Sequence, residues 1–314
     1  MKPLRIGTRG SALALWQANH IRERIAKLHG IESEIVRIRT CGDNFATASI
    51  AQLNAQAGLK GVFIKEIEDA LLAGTVDLAV HSMKDVPTEI PTGLLFSAIT
   101  KREDARDCLI SRNSRSLQHL PPGARIGTSS LRRQAQLRHF RSDLEMVDLR
   151  GNVDTRFKKL AAGEFDAIVL AMAGVNRLGA SSQITQVLGP EMMLPAVGQG
   201  ALGIETRADD RETSQFAAAL DDAETRACVT AERALLRELE GGCQVPLGAY
   251  ARNEGNEILL EAAVFSPDGK EFVRGEDRGP AASAEEIGKR LAHNLIERGA
   301  DRILLLAGRS TTQS

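Results

Sequence analysis

The sequence predicts an α/β protein in which two related domains are followed by a smaller α/β domain. Two recurring patterns and one contrast predict it. Arg5-Ile6-Gly7-Thr8 returns as Arg125-Ile126-Gly127-Thr128, 120 positions later, each time opening a strand–turn–helix unit. Ala73-Gly74-x-Val76-Asp77-x-x-Val80-x-x-Met83 returns 89 positions later, from Ala162-Gly163 to Met172. The first copy therefore holds 31 extra residues between its landmarks, where a long stretch of small residues lies. From about Ala223 the pattern changes to a long helical period, two or three strands and a last helix.

The elements follow in order. Leu4–Ile6 reads as a strand, Ala12–Leu28 as a helix and Glu34–Ile38 as an alternating strand. Residues 42–61 lack a period and predict a long loop, a feature that compact domains reserve for function. Phe63, Ile64, Ile67, Ala70 and Leu71 recur at helical spacing, and Val76–Val80 reads as a buried strand. Met146–Leu149 and Leu202–Thr206 read as further strands. Strands between Val245 and Glu276 and a helix near Ala284–Arg298 complete the tail.

Composition excludes several classes. At 314 residues the chain has room for two or three domains. One Trp, one Tyr and a net charge of −1 argue against a stacking platform or a basic footprint for nucleic acid. No apolar run, Ala167–Val175 included, approaches the ~20 residues of a membrane span. The charged and glycine-interrupted start predicts no signal peptide and a cytoplasmic protein. Cys41, Cys108, Cys228 and Cys243 form no Cys-x-x-Cys pair, and the six histidines show no metal spacing. Gly198-Gln199-Gly200-Ala201-Leu202-Gly203 fits G-x-G-x-x-G, but Pro195 precedes it and a strand follows, so a dinucleotide site is not expected.

The residues that could carry chemistry sit at strand ends, where open α/β sheets bind ligands. Met83-Lys84-Asp85 closes one repeat with a base and an acid, and Met172-Ala173-Gly174 closes the other with neither. Between Arg125 and Lys159 nine basic residues face four acids, giving +5 in a chain that is otherwise −6. A solvated basic face is the plain reading of such a run. Placement points instead to a cleft for a polyanion: Arg132 and Arg133 follow a helix start, Arg150 follows a strand, and Arg9 holds the matching place in the first copy. Each charge-assisted bond to a carboxylate would contribute roughly 1.5–3 kcal/mol. Cys243 lies between Gly241-Gly242 and Pro246, on a constrained loop where a reactive or modified thiol is plausible. For the other cysteines the expectation is a small buried hydrophobe. Composition alone favours reading Asp85 as a surface loop acid that pairs with Lys84 or caps a turn.

Six segments together resemble the porphobilinogen deaminase (hydroxymethylbilane synthase) family. They are Arg5–Ala14, Ala79–Pro87 (Ala-Val-His-Ser-Met-Lys-Asp-Val-Pro), Ile126–Gln134 (Ile-Gly-Thr-Ser-Ser-Leu-Arg-Arg-Gln), Leu149–Arg156, Val197–Glu205 and Glu232 through Cys243. The resemblance implies three domains, the first two of the periplasmic-binding-protein type II fold and the third a small α/β domain carrying the cofactor cysteine. They would span 1–100 with 201–218, 106–194 and 223–314, with a lid at about 43–61. It implies a transferase that condenses four porphobilinogen molecules head to tail, releasing ammonia, and then frees hydroxymethylbilane by hydrolysis. The primer would be one dipyrromethane per chain, joined to Cys243 by a thioether. Asp85 matches the catalytic aspartate, beside Lys84. Cofactor binding falls to Cys243, Arg132, Arg133, Ser130, Thr128, Lys84, Asp85 and Gly174. Substrate binding falls to Arg9, Ser11, Arg150, Arg156, Arg177, Lys60, Phe63, Gln17 and His81. A monomer is expected, with no nucleic-acid or membrane partner. The chain departs from the family pattern at Gln56 and Leu59, which puts one lid contact in doubt. Two other classes stay open at this point: a two-lobed module binding an organic anion, and an enzyme for phosphate ligands.

Overall fold

The computed structural model describes residues 2–40, 64–239 and 246–310, without the side chains of 307–310. The loop at 43–61, with Lys60, and also Cys41, Phe63 and Cys243 lie outside the described residues. In chain order, β1 is Leu4–Thr8, α1 Ala12–His29, β2 Ser33–Arg37, α2 Lys65–Leu72, β3 Leu78–Ser82 and β4 Leu94–Ile99. Then come β5 Asp107–Ser111, β6 Arg125–Gly127, α3 Leu131–Phe140, β7 Glu145–Val147, α4 Val153–Ala161, β8 Ala167–Ala171, α5 Met172–Arg177 and β9 Gln186–Leu188. The chain continues through β10 Leu202–Arg207, α6 Arg211–Ala218, α7 Ala223–Glu238, β11 Leu247–Glu254, β12 Glu257–Phe265, β13 Phe272–Pro280, α8 Ala284–Glu297 and α9 Ala300–Ser310.

Two compact units result, Met1–Glu103 with Ala201–Arg226, and Asp104–Gly200 with Ala227–Ser314. The first unit holds a five-stranded sheet of order β2-β1-β3-β10-β4, and the second holds one of order β7-β6-β8-β5-β9. In each, three parallel strands are followed by an antiparallel fourth, β10 or β5. The second unit also contains the antiparallel meander β11-β12-β13, covered by α7, α8 and α9 around a separate apolar core.

The internal repeat extends to individual hydrogen bonds. Arg5 N–H donates to Asp77 Oδ2 at 2.8 Å, and Arg125 N–H to Asp166 Oδ2 at 2.9 Å. Asp77 and Asp166 return backbone bonds to Arg5 and Arg125. Gly74 and Gly163 end the preceding helices at φ +66° and +81°, which only glycine adopts cheaply. An added Cβ at Gly74 meets nothing within 4 Å, so Gly74→Ala is a test of backbone strain alone. We expect it to lower stability by about 1 kcal/mol, read from the denaturant midpoint.

Side-chain alternation divides each sheet. Leu78, Val80, Leu202 and Ile204 face α1, where Ala18, Ile21 and Ile25 pack, whereas Ala79 joins Ile67, Leu71 and Val76 beneath α2. In the other sheet Leu109 and Val169 pack with Leu137 of α3, and Cys108 and Ile110 pack with Leu160 of α4. The sequence placed a strand at Val76–Val80; the ladder begins at Leu78 because Thr75 and Val76 still donate to Ala70 O at the helix end.

Candidate active site

The carboxyl end of the first sheet gathers the first group of candidates. Ser11 caps α1, its hydroxyl accepting from Ala14 N–H at 3.3 Å, which leaves half-buried Arg9 between the end of β1 and a helix start. Gln17, buried on α1, donates through Nε2 to Ser82 Oγ at 2.9 Å and so ties α1 to the end of β3. From there the chain makes one 3-10 turn, Met83–Asp85. Buried Met83 anchors it, with Met83 N–H donating to Ala201 O at 3.0 Å, and the turn leaves Lys84 half-buried and Asp85 exposed. His81 points inward instead: its Nε2 lies 3.0 Å from Glu205 Oε2. Gln17 and His81 therefore act inside the unit, through Ser82 and Glu205.

In the second unit the strand ends carry the arginines. Ser130 caps α3 by accepting from Arg133 N–H at 3.5 Å, and buried Thr128 accepts from Ser130 N–H at 3.3 Å. Ser129 Oγ both donates to Leu149 O and accepts from Leu149 N–H, which brings Arg150 alongside that helix start. Asn152 caps α4, and Arg156 Nε donates to Gly151 O at 2.9 Å. Gly174 is buried in α5, and Arg177 at its end donates to Gly200 O at 2.7 Å. Five of the candidate cations thus belong to the carboxyl edge of one sheet: Arg132, Arg133, Arg150, Arg156 and Arg177.

Arg132 and Arg133 are both buried and converge on Asp107, the first residue of β5, which is fully buried. Arg132 Nη1 donates to Asp107 Oδ2 at 2.7 Å and to Leu194 O at 2.6 Å. Arg133 Nη2 and Nε reach Asp107 Oδ1 at 2.7 and 3.2 Å, and its Nη1 donates to Val169 O. Gln199 Nε2 donates to the same Oδ1 at 3.0 Å and to Ala105 O at 2.6 Å. Burial pushes the Asp107 carboxyl up, but the two guanidiniums outweigh it and hold the group far below the usual carboxylate range. Burial likewise draws Arg132 down, against the pull of Asp107. Two buried cations share one anion, so the cluster keeps a positive excess suited to a ligand carboxylate.

Sequence reasoning missed Asp107, Gln199, Glu205 and Glu68. The signal for Asp107 was a single acid opening the apolar run Cys108-Leu109-Ile110, and Gln199 lay in the glycine-rich segment whose dinucleotide context failed. Cys108 and Cys228 are buried, and burial pushes the Cys108 thiol up to about 12, which makes it unreactive. No group of three potential metal ligands is found among the described residues. No helix among them is long and apolar enough to cross a membrane.

By itself this donor set suits any ligand that carries carboxylates or phosphates. Residues 4–215 match the family described as porphobilinogen deaminase, dipyromethane cofactor binding domain, and residues 226–297 match porphobilinogen deaminase, C-terminal domain. A protein of Pelobacter propionicus named porphobilinogen deaminase is 50% identical over 304 residues, 96% of each chain. One of Syntrophobacter fumaroxidans with the same name is 49% identical over 302 residues, again 96% of each. Among solved structures, a periplasmic substrate-binding protein of an ABC transporter from Coxiella burnetii aligns at 14% identity and TM-score 0.42, covering 69% of this chain and 91% of its own. At that distance the structural likeness carries no functional argument. The two family matches and the relatives at half identity carry it: the chain belongs to the porphobilinogen deaminase family.

Proposed function

We propose that this chain condenses four porphobilinogen molecules head to tail, releasing one ammonia at each step, and then releases hydroxymethylbilane by hydrolysis. The observation that carries the reading is that one chain, matching this family over nearly its whole length, holds an exposed carboxylate turn, Lys84-Asp85, in its first unit and arginine-rich strand ends in its second. Dipyrromethane, when bound, supplies the pyrrole carbon on which the chain grows. The donor set fits it, because a dipyrrole bearing acetate and propionate groups offers carboxylates to guanidiniums and helix starts.

We assign the residues as follows. Cys243 holds the primer as a thioether. Ser130, Thr128, Arg133 and Gly174 shape its seat, and Arg132 reaches a carboxylate: its Nε and Nη2 make no hydrogen bond among the described residues while Nη1 is held by Asp107 and Leu194. Arg9, Ser11, Arg150, Arg156 and Arg177 bind the acetates and propionates of incoming and growing rings. Asp85, exposed at the turn, places its carboxylate against pyrrole nitrogens as positive charge develops there, which lowers the barrier electrostatically. The same carboxylate is placed to take up the proton that the pyrrole ring gives up as the amine departs as ammonia. Lys84 pairs with ligand carboxylates beside it. The protein acts as a cytoplasmic monomer with no nucleic-acid or membrane partner.

Incubation with porphobilinogen tests this directly. We expect one ammonia per porphobilinogen consumed and a product that cyclises on standing in acid to uroporphyrinogen, which an added oxidant such as iodine then converts to uroporphyrin for detection. Consumption of no porphobilinogen by protein carrying its primer would contradict the reading. Arg132→Leu should load the primer poorly while staying folded; normal loading measured by mass would remove Arg132 from that seat.

A further inference from the structure

Beneath α2 the layer that holds Ala79, Ile67, Leu71 and Val76 changes character toward the carboxyl end of β3. There three titratable groups replace apolar ones. His81 and Glu205 have side chains only 3% and 1% exposed, and Nε2 and Oε2 lie 3.0 Å apart. The register explains the meeting: His81 stands opposite Gly203 and Ala79 opposite Glu205, so His81 and Glu205 are diagonal neighbours on one face. Phe96 of β4 closes the site edge-on to His81. Gly203 has no room for a side chain, since a Cβ there would lie 2.4 Å from Met83 Sδ and 2.6 Å from Phe96. His81, Met83 and Phe96 are thus packed around Gly203, directly beside the turn that ends in Asp85.

Glu68 of α2 completes the group. It is half-buried, and burial first, then Glu205, push its carboxyl up to about 7, with His81 pulling the other way and Asp69 adding to the rise. Among the described residues, charged groups near the rest of this face include Glu66 on α2 itself and, bonded to one another around β1 and β10, Arg5, Asp77 and Arg207. A buried polar pair is a poor source of stability compared with apolar residues of the same volume. Its place under the turn points to another use.

We propose that His81, Glu205 and Glu68 are positioning residues for the reaction: they brace the Met83–Asp85 turn and place negative charge on its inner side. The proposal rests on the reading of Asp85 given above. When Glu68 ionises, the group gains a negative charge, which favours the positive charge that the reaction develops above Asp85.

The test uses the enzyme with its primer in place, confirmed by intact mass. We expect His81→Gln and Glu205→Gln to lower kcat about tenfold or more with KM for porphobilinogen changed less than about twofold. In the wild type kcat should rise with pH through a limb near 7, and Glu68→Gln should flatten that limb. Wild-type kcat in the first two variants, or a Glu68→Gln profile that overlays the wild type, would overturn the proposal. So would a change confined to melting temperature. If Glu205→Gln does not fold, the half-exposed Glu68 still decides through its pH profile. Failure here with Asp85→Asn inactive would sink the brace alone; a fully active Asp85→Asn would sink the underlying reading instead.

Discussion

Asp85→Asn should retain the primer and bind porphobilinogen while losing turnover by roughly 10²–10⁴-fold, the range for removing a positioned charge or general base. The reasoning starts from the turn. Met83 is buried and bonded to Ala201, so the three-residue turn has little freedom, and Asp85 is held at its exposed end. Asparagine keeps the shape and removes only the charge and the proton-carrying oxygen. Folding should therefore be unaffected, because an exposed side chain at a turn contributes little to stability. Single-turnover kinetics on loaded protein separate the outcomes. Near-normal turnover would take Asp85 out of the mechanism.

The second large effect concerns stability. Asp107→Ala should cost about 3–5 kcal/mol, the usual penalty for removing one partner of a buried ion pair. It would strand Arg132, Arg133 and one donor of Gln199 without their acceptor. Urea denaturation would read the loss, and a change below about 1 kcal/mol would show that the cluster relaxes into water. The pH dependence has a definite sign. Asp107 is held below its ordinary 3.8 in the folded chain, so its contribution is present above that value and disappears as pH falls below it. Acid unfolding of the second unit should draw on this loss, whereas Asp107→Asn, which has no such contribution to lose, should be less stable at neutral pH and fall less steeply across that range.

Much of this arrangement was legible in the residues. The doubled Arg-Ile-Gly-Thr and Gly-x-x-Asp patterns predicted twin sheets because each marks a position that tolerates few substitutes: a strand start, a left-handed glycine and an aspartate that caps the neighbouring strand. The helix starts at Ser11 and Ser130 were readable from hydroxyls before helical periods. Strands β4, β5 and β9 were not: β9 spans only three residues, and nothing local in Leu94–Ile99 or Asp107–Ser111 specifies their antiparallel partners β10 and β8, which come from distant parts of the chain. α9 was missed beyond α8 because its apolar run is short and close to the end. The site was half legible. Sequence showed which residues gather at strand ends, but not which way they point. His81 and Arg133 turn toward buried acids that lie 124 and 26 residues away in the chain, and a local pattern cannot specify such partners.

The central claim is that Cys243 carries a dipyrrole primer held by this chain's arginines. The intact mass of the purified protein beside Cys243→Ser measures it most directly. The account predicts an excess equal to one dipyrromethane in the wild type and none in the variant. A wild-type mass equal to the bare sequence, still unchanged after incubation with porphobilinogen, would contradict it.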